Sequence, residues 1–295
     1  MKIFISGGTG FVGEHVCRTL RESGHDLRLL VHHRRAAAES GVECIEGDVT
    51  RLESFAAGVA GCDAVINLTG IIREFPARGV TFERLHVQAT ANMLEAARRS
   101  GINRYLQMSA LGTRPAAVSG YHQSKWRAEE LVRGSERAWT IFRPSMIFGP
   151  HDTFINMLAA ELRRAPVFPV IGSGNYRLQP IHADDVAHCF TRALTMPETI
   201  SQTYELCGND RVSFEELLDM IAGVLGRSCP FKLHVPLGVM KRVIPIMQKI
   251  ALFPITSDQL QMLLEESICG GEWQQRFKFK PRGLRDGMSE YLHKT

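Results

Sequence analysis

The chain has 295 residues, 44% of them apolar and 22% charged, with 35 Lys and Arg against 31 Asp and Glu for a net charge of +4. That balance excludes disordered, fibrous and collagen-like chains and leaves room for one large domain, or a large one with a smaller appendage. The basic residues fall in pairs (Arg34–Arg35, Arg98–Arg99, Arg163–Arg164, Lys241–Arg242), not in a block that could follow a phosphodiester backbone, so no nucleic-acid partner is expected.

Cysteines stand at 17, 44, 62, 189, 207, 229 and 269, odd in number and widely spaced. No two are close enough for a zinc site or a redox Cys-x-x-Cys, so no metal is expected, and they read as small buried hydrophobes in a reducing compartment. There is no apolar run long enough to span a membrane, and the chain opens directly on a strand. A cytoplasmic protein is the expectation.

In chain order, Ile3 to Ser6 is an apolar β run, and Phe11 to Glu22 carries helical spacing through Val12, Val16 and Leu20. Leu27–Val31, Val42–Ile45 and Ala64–Leu68 are further strands. A long helix follows from about Phe82 to Arg99, closed by Ser100-Gly101. Arg104–Met108 and Ala138–Phe142, with a helix between them, complete the first half. Strands alternating with helices predict right-handed βαβ units and a parallel sheet covered on both faces. Past Gly149-Pro150 the pattern is broken by Pro166, Pro169, Pro180, Pro197, Pro230, Pro236, Pro245 and Pro254, though Ser213–Leu225 (a capping box, Ser213 with Glu216) and Ser257–Glu266 still read as helices. The expected organisation is an NAD(P)-binding domain over 1–150 and a smaller substrate or partner lobe over 151–295, with some segments returning to the sheet.

Between the first strand and first helix lies Ser6-Gly7-Gly8-Thr9-Gly10-Phe11-Val12-Gly13. Glycines there let the backbone turn tightly and approach a pyrophosphate, while the helix N-terminus turns its free N–H groups toward the anion. Two frames satisfy the spacing, one on Gly7, Gly10 and Gly13, the other on Gly8, Gly10 and Gly13. Sites that select NAD place an acid at the end of the second strand. Here the run is Val31-His32-His33-Arg34-Arg35, and the His32, Arg34 and Arg35 cluster would attract a 2′-phosphate, so NADP(H) is favoured over NAD(H). Asp48, followed by Val49, can meet the adenine amino group or cap the next turn.

Tyr121-His122-Gln123-Ser124-Lys125 puts a phenol and an ammonium four apart on one helical face, and Ser109 ends the strand before them. Such a set makes a proton-transfer device. The ammonium is expected to lower the phenol pKa from about 10, the phenol to exchange the substrate's proton, and the serine to hold its oxygen.

These motifs resemble the extended or atypical short-chain dehydrogenases/reductases of the NAD-dependent epimerase/dehydratase type. The matching pieces run in family order: the loop 7–13, Gly47-Asp48, Asn67-Leu-Thr-Gly70, Ser109-Ala110, Tyr121…Lys125, Phe142-Arg143-Pro144…Phe148-Gly149-Pro150 and Pro180-Ile181-His182…Asp185-Val186-Ala187. Phe82-Glu83-Arg84-Leu85-His86-Val87, Gln107-Met-Ser-Ala-Leu-Gly112 and Pro254-Ile-Thr-Ser-Asp-Gln-Leu260 are most similar to the branch that holds the NADPH-binding accessory subunit of respiratory complex I. The resemblance implies an α/β fold, a Rossmann-type doubly wound parallel sheet with a smaller mixed C-terminal lobe. It implies catalytic roles for Ser109, Tyr121 and Lys125. It further implies cofactor contacts from Gly7, Gly8, Thr9, Gly10, Phe11, Val12, Gly13, Leu68, Thr69, Gly70, Met108, Lys125, Arg143 and Pro144, the last two at the nicotinamide end. Catalytic relatives often carry an asparagine where this chain has His86, and a histidine there can hold a water in its place.

The substrate is not spelled out, although the loop 71–79 is expected to help shape the pocket. From Met220 to Ser257 the chain has Arg227, Lys232, Lys241, Arg242 and Lys249 and no acid. This basic, apolar stretch can rest on a membrane surface or a larger complex, such as a respiratory one at the inner membrane, through 227–249. The favoured expectation is that it buries its apolar side on its own lobe, and its methionines can line a pocket for a lipophilic substrate such as a quinone. Two functions stand side by side: an active oxidoreductase, and a non-catalytic NADPH-holding accessory or assembly subunit.

Overall fold

The structure, a computed structural model, describes residues 1–32, 42–248 and 255–292. Chain order begins β1 (Lys2–Ser6), α1 (Phe11–Glu22), β2 (Asp26–Val31), β3 (Glu43–Glu46) and β4 (Ala64–Asn67). It continues through α2 (Ala89–Arg99), β5 (Arg104–Met108), α3 (Gly120–Arg133), β6 (Ala138–Pro144), β7 (Ile147–Phe148), α4 (Phe154–Arg164) and β8 (Val167–Ile171). Next come β9 (Arg177–Leu178), β10 (Ile181–His182), α5 (Ala183–Ala193), β11 (Gln202–Leu206), β12 (Val212–Ser213) and α6 (Phe214–Val224). The described chain closes with β13 (Phe231–Val235), α7 (Leu237–Met247), α8 (Ser257–Leu264), α9 (Glu272–Phe277) and α10 (Leu284–Leu292).

Two compact units result. The first holds Met1–Pro144 and Ala183–Leu206, so α5 and β11 rejoin it after an excursion; the second holds Ser145–His182 and everything from Cys207 onward. In the first unit seven strands lie in the order β11-β6-β5-β4-β1-β2-β3, every pairing parallel. This is the Rossmann-like sheet the alternation predicted. Phe4, Val65, Tyr105 and Trp139 stand in register in one row across β1, β4, β5 and β6. They pack with Met93, Ala96 and Ala97 of α2 and Val132 of α3. A slip of one residue would turn that row to the other face, and each large apolar side chain contributes roughly 1.5–3 kcal/mol by burial, so register is firmly set. On the opposite face α1 packs against α5, whose Phe190 ring lies 4.5 Å from that of Phe142.

Strand order reverses between β1 and β4, the point where doubly wound sheets open a crevice beyond the carboxyl ends of their strands. The loops beginning at Gly7 and Leu68 leave those two ends. The helix expected from Phe82 to Arg99 is not uniform: Glu83–Gln88 form a π-helical turn ahead of α2. Widened turns of this kind mark places where a side chain is re-aimed, often at functional sites.

In the second unit, β8 pairs with β13 and β7 with β10, both parallel, while β9 pairs antiparallel with β12. Its core joins Leu158 and Leu162 of α4, Phe168 and Val170 of β8, Leu217 and Ile221 of α6, and Met288 of α10. Helix α6 starts on the expected capping box, Ser213 Oγ accepting from Glu216 N and the Glu216 carboxylate accepting from Ser213 N. Thr256 and Gln259 make a second such box at α8. The cysteine reading needs correction. Cys207 and Cys269 are joined in a disulfide, 62 residues apart in sequence with Cα atoms 6.1 Å apart. Gln179 clamps the two strands of chain beside it, donating to Gly208 O (2.7 Å) and accepting from Cys269 N (3.0 Å).

Candidate functional site

Every site residue expected from the sequence belongs to the first unit, apart from Arg34 and Arg35, which lie outside the described residues. Space constrains the glycine turn at two positions. Gly7 has φ +73°, and a Cβ on it would stand 2.8 Å from the carbonyl carbon of Leu68; one on Gly13 would stand 2.2 Å from Gly7 O. Gly10 N donates to Gly7 O at 3.1 Å and closes the turn. A Cβ on Gly8 would chiefly meet side chains, Leu29 and Cys17. Backbone contacts thus demand glycine at Gly7 and Gly13, and Gly10 closes the turn between them.

Helix α1 begins at Phe11 with no side-chain cap, next to the exposed Thr9 and Gly10, while Phe11 and Val12 are half-buried. The N–H groups of its first turn have no acceptor within the helix, so an anion placed there meets donors and the positive end of the dipole. Uncapped donors on an exposed turn at the switch point fit a dinucleotide pyrophosphate. His32 is exposed immediately after β2, where no acid stands.

Asp48 caps the next turn through Oδ1, which accepts from Thr50 N (2.9 Å) and Thr50 Oγ1 (2.7 Å). Burial pushes its carboxyl up, but those bonds and the nearby His32 and Arg51 hold it below the usual value. Val49 packs on the sheet core, and its carbonyl accepts from Asn92 Nδ2 at 2.9 Å.

Beyond β4, a buried polar network shapes the second loop. Asn67 Oδ1 accepts from Ser6 Oγ (2.8 Å) and Thr69 N (3.2 Å), while its Nδ2 donates to Thr90 Oγ1 (3.2 Å) and Gln107 Oε1 (3.1 Å). Leu68 N donates to Ser6 O at 3.0 Å. The ends of β1, β4 and β5 are thus locked together, and Gly70 is left exposed beside Lys125, whose Nζ would stand 2.9 Å from a Cβ placed there.

Helix α3 is capped by Ser119, whose hydroxyl accepts from His122 N, and carries Tyr121 and Lys125 on successive turns. Both are buried, as is Ser109 just past β5, whose hydroxyl lies 3.4 Å from that of Thr113. Lys125 Nζ donates to Met108 O at 3.3 Å and lies 6.0 Å from the Tyr121 ring centroid. Burial brings the Lys125 ammonium down to about 8, opposed by the Glu129 carboxylate one turn further on. The phenol departs from expectation: burial pushes Tyr121 up to about 12. Its ammonium neighbour is turned toward a carbonyl, and loss of water around the ring outweighs it.

His86 also differs from the water-holding role. Its Nε2 accepts from Ile71 N (3.1 Å), which leaves Nδ1 to donate to Ser124 Oγ (2.8 Å), and Ser124 in turn donates to Tyr121 O (2.7 Å). Both ring nitrogens are engaged by protein, with Phe82 stacked on the ring at 5.3 Å. Burial, then the charge of Lys125, brings its pKa down to about 2, so the imidazole stays neutral. The π-helical turn thereby ties the loop after β4 to the helix bearing Tyr121.

Arg143 stands against Glu129 in a bidentate pair (2.8 and 2.7 Å), with the fully buried carboxylate also met by Arg133. Pro144 O accepts from Leu111 N at 2.9 Å. Sequence reading missed the Arg143–Glu129 pair and the Ser124 bridge. The one available signal was Glu129 standing four residues after Lys125. Among the described residues no cluster of His, Cys, Asp or Glu could hold a metal, and no helix is long and apolar enough to cross a membrane.

Sheet order, glycine turn and the Ser109–Tyr121–Lys125 set define a class of nucleotide-dependent oxidoreductase folds, and comparison makes it specific. The model of the NAD dependent epimerase/dehydratase family matches residues 3–207, and the chain belongs to that family. It is 26% identical over 244 residues to NADH dehydrogenase (ubiquinone) 1 alpha subcomplex subunit 9, mitochondrial, of Dictyostelium discoideum, covering 79% of this chain and 66% of that one. It is 32% identical over 204 residues to a ceramide reductase of Caulobacter vibrioides, covering 66% of this chain and 63% of that one. The chain therefore spans just under two thirds of the length of these curated relatives. A solved UDP-glucose 4-epimerase of Thermotoga maritima shares the fold, with a TM-score of 0.78 at 16% identity over 99% of this chain and 97% of that one.

Proposed function

We propose that this chain is an oxidoreductase that moves a hydride between NADP(H) and a carbonyl or alcohol, with Tyr121 as acid/base. What carries the reading is the placement of the uncapped glycine turn and the buried Ser109, Tyr121 and Lys125 at the carboxyl edge of one parallel sheet. Gly7 to Gly13 would hold the pyrophosphate, and His32 with Arg34 and Arg35 the 2′-phosphate. Thr69, Gly70, Met108 and Lys125 would face the nicotinamide half. When bound, the nicotinamide supplies or accepts the hydride.

In the reducing direction Ser109 Oγ donates to the substrate oxygen. Tyr121, held protonated at neutral pH by burial, gives that oxygen its proton. The resulting phenolate is stabilised by the Lys125 ammonium, a charge worth more here than in water because the site is buried. Glu129, fixed by Arg143, keeps Lys125 protonated further up the pH scale than burial alone would allow. One relative is a ceramide reductase, so lipophilic carbonyls, long-chain ketones and quinones among them, are the first substrates to test.

General acid/base catalysis contributes about 10²–10⁴-fold. Tyr121→Phe should cost NADPH turnover that much while leaving NADPH binding, read by fluorescence titration, within about two-fold. Unchanged turnover would remove Tyr121 from the chemistry.

A second reading has its own support, since the most similar curated relatives include mitochondrial complex I subunits. On it, the chain holds NADPH without turning it over and associates peripherally with a respiratory complex at the inner membrane through 227–249. Co-migration of Tyr121→Phe with that complex at the wild-type level, with no turnover in either protein, would favour it.

A further inference from the structure

Six of the twelve exposed large apolar residues among the described ones fall on two neighbouring pieces of the second unit: Val167, Phe231, Leu233, Val239, Val243 and Ile246. They are not scattered. In the β8–β13 ribbon, Phe231 pairs with Val167 and Leu233 with Pro169, so the period-2 alternation puts these four on one side, all exposed. The intervening Phe168 and Val170 point the other way into the core. The ribbon's basic side chains meet acids of α6 instead: Lys232 pairs with Asp219 (2.7 Å) and His234 with Glu215 (3.1 Å).

Through Pro236 the ribbon passes directly into α7, which buries only Ile244. Val239, Val243 and Ile246 recur at i, i+4 and i+7, a single stripe on the side away from Ile244. Exposure reaches 68% at Phe231 and 71% at Ile246. A helix apolar on both sides needs an apolar neighbour on both, and among the described residues of its own unit none supplies the outer one. The expected burial of an apolar side on its own lobe holds for the Ile244 side of α7, and the Val239–Val243–Ile246 side is left over.

Charge says what kind of neighbour. Lys241 and Arg242 are exposed on the same helix, and among the described residues neither meets an acid. No Asp or Glu occurs anywhere from Met220 to Ser257. A protein interface core is depleted in lysine and carries rim charges of both signs. On α7 itself the exposed apolar side chains stand beside Lys241 and Arg242 and no acid, which matches a surface of acyl chains beneath anionic headgroups, where lysine and arginine stems lie along the apolar layer with their charges in the phosphate plane.

We propose that the outer face of the β8–β13 ribbon and α7 docks on the surface of a lipid bilayer bearing anionic headgroups. The proposal is independent of whether Tyr121 is catalytic. Flotation of the purified full chain with vesicles tests it, one set of phosphatidylcholine alone and one mixed with phosphatidylglycerol. Wild type should float with the mixed vesicles, weakly or not at all with phosphatidylcholine, and come off as salt is raised. Val243→Glu with Ile246→Glu, and separately Lys241→Glu with Arg242→Glu, should each partition about ten-fold or more weakly. All four positions are exposed, so the folded state should persist, checked by circular dichroism; the lipid and salt series on wild type needs no variant at all.

Three results would overturn the proposal. One is no flotation with mixed vesicles. Another is flotation unaffected by either pair of substitutions. The third is a dimer in solution that Val243→Glu with Ile246→Glu splits without any lipid binding, which would make the face a contact between two copies.

Discussion

At Gly13 a single added methyl would collide with Gly7 O at 2.2 Å, a contact between two backbones that cannot swing aside. Gly13→Ala should therefore cost about 1–3 kcal/mol of stability, as overpacking does, and pull α1 off the turn. Its NADPH affinity should fall by more than that of Gly8→Ala, where Leu29 and Cys17 side chains can give way; calorimetric titration of both variants compares them. His86 makes a prediction of another kind. Its imidazole is neutral in the fold with a pKa near 2, whereas in the unfolded chain it takes up a proton around the ordinary 6.5. Each pH unit below that value then favours the unfolded chain, by up to about 1.4 kcal/mol, until the folded pKa is reached. Melting temperatures from pH 8 to pH 5 should fall more steeply for wild type than for His86→Asn. The slope is the readout, so a lower melting point of the variant at neutral pH does not obscure it, and parallel slopes would contradict the assignment. Gly7, Ser109, Tyr121 and Lys125 were legible because short-range spacing encodes them. Asn67, Glu129 and Ser124 drew their meaning from partners on other strands and helices, Thr90, Gln107, Arg143 and His86, which no local pattern reveals.

At the scale of elements, the strands of the first half were legible from apolar runs because a parallel sheet buries both faces. Strand β11 was not: Gln202-Thr-Tyr-Glu-Leu206 is mostly polar, and it is a strand because β6 offers an edge for Tyr204 to pair with Phe142. The ribbon of β8 and β13 was hidden for a related reason, its prolines and exposed apolar face reading as a loosened loop. A π-helical turn in place of regular helix at Glu83–Gln88 left no signal beyond His86 itself. On the proposed function, the end of β2 carries the cofactor choice. With His32 exposed there and no acid, NADPH should bind at least about ten-fold more tightly than NADH. Replacing Arg34 and Arg35 by Ala should erase most of that difference while leaving NADH binding as it was. Equal affinities in the wild type would remove the preference for the 2′-phosphate.

For the whole molecule, the small positive charge of the composition resolves into places. Some of it lies at the end of β2, where a nucleotide phosphate would neutralise it, and some on α7, where Lys241 and Arg242 flank exposed apolar side chains. Both units come from interleaved segments: α5 and β11 complete the first sheet after β7 to β10 have built part of the second unit. Membership of the NAD dependent epimerase/dehydratase family is consistent with that arrangement, and the chemistry turns on whether hydride is transferred. The direct measurement uses NADPH labelled with deuterium at the transferable position of the nicotinamide, incubated with the purified chain and a panel of quinones, long-chain ketones and aldehydes. Wild type should place the label on the carbon of the reduced carbonyl, or consume the labelled NADPH in step with quinone reduction, and Tyr121→Phe should slow this about a hundred-fold or more. NADPH that remains bound and fully labelled across the whole panel would contradict the oxidoreductase account and leave the chain as a holder of nucleotide.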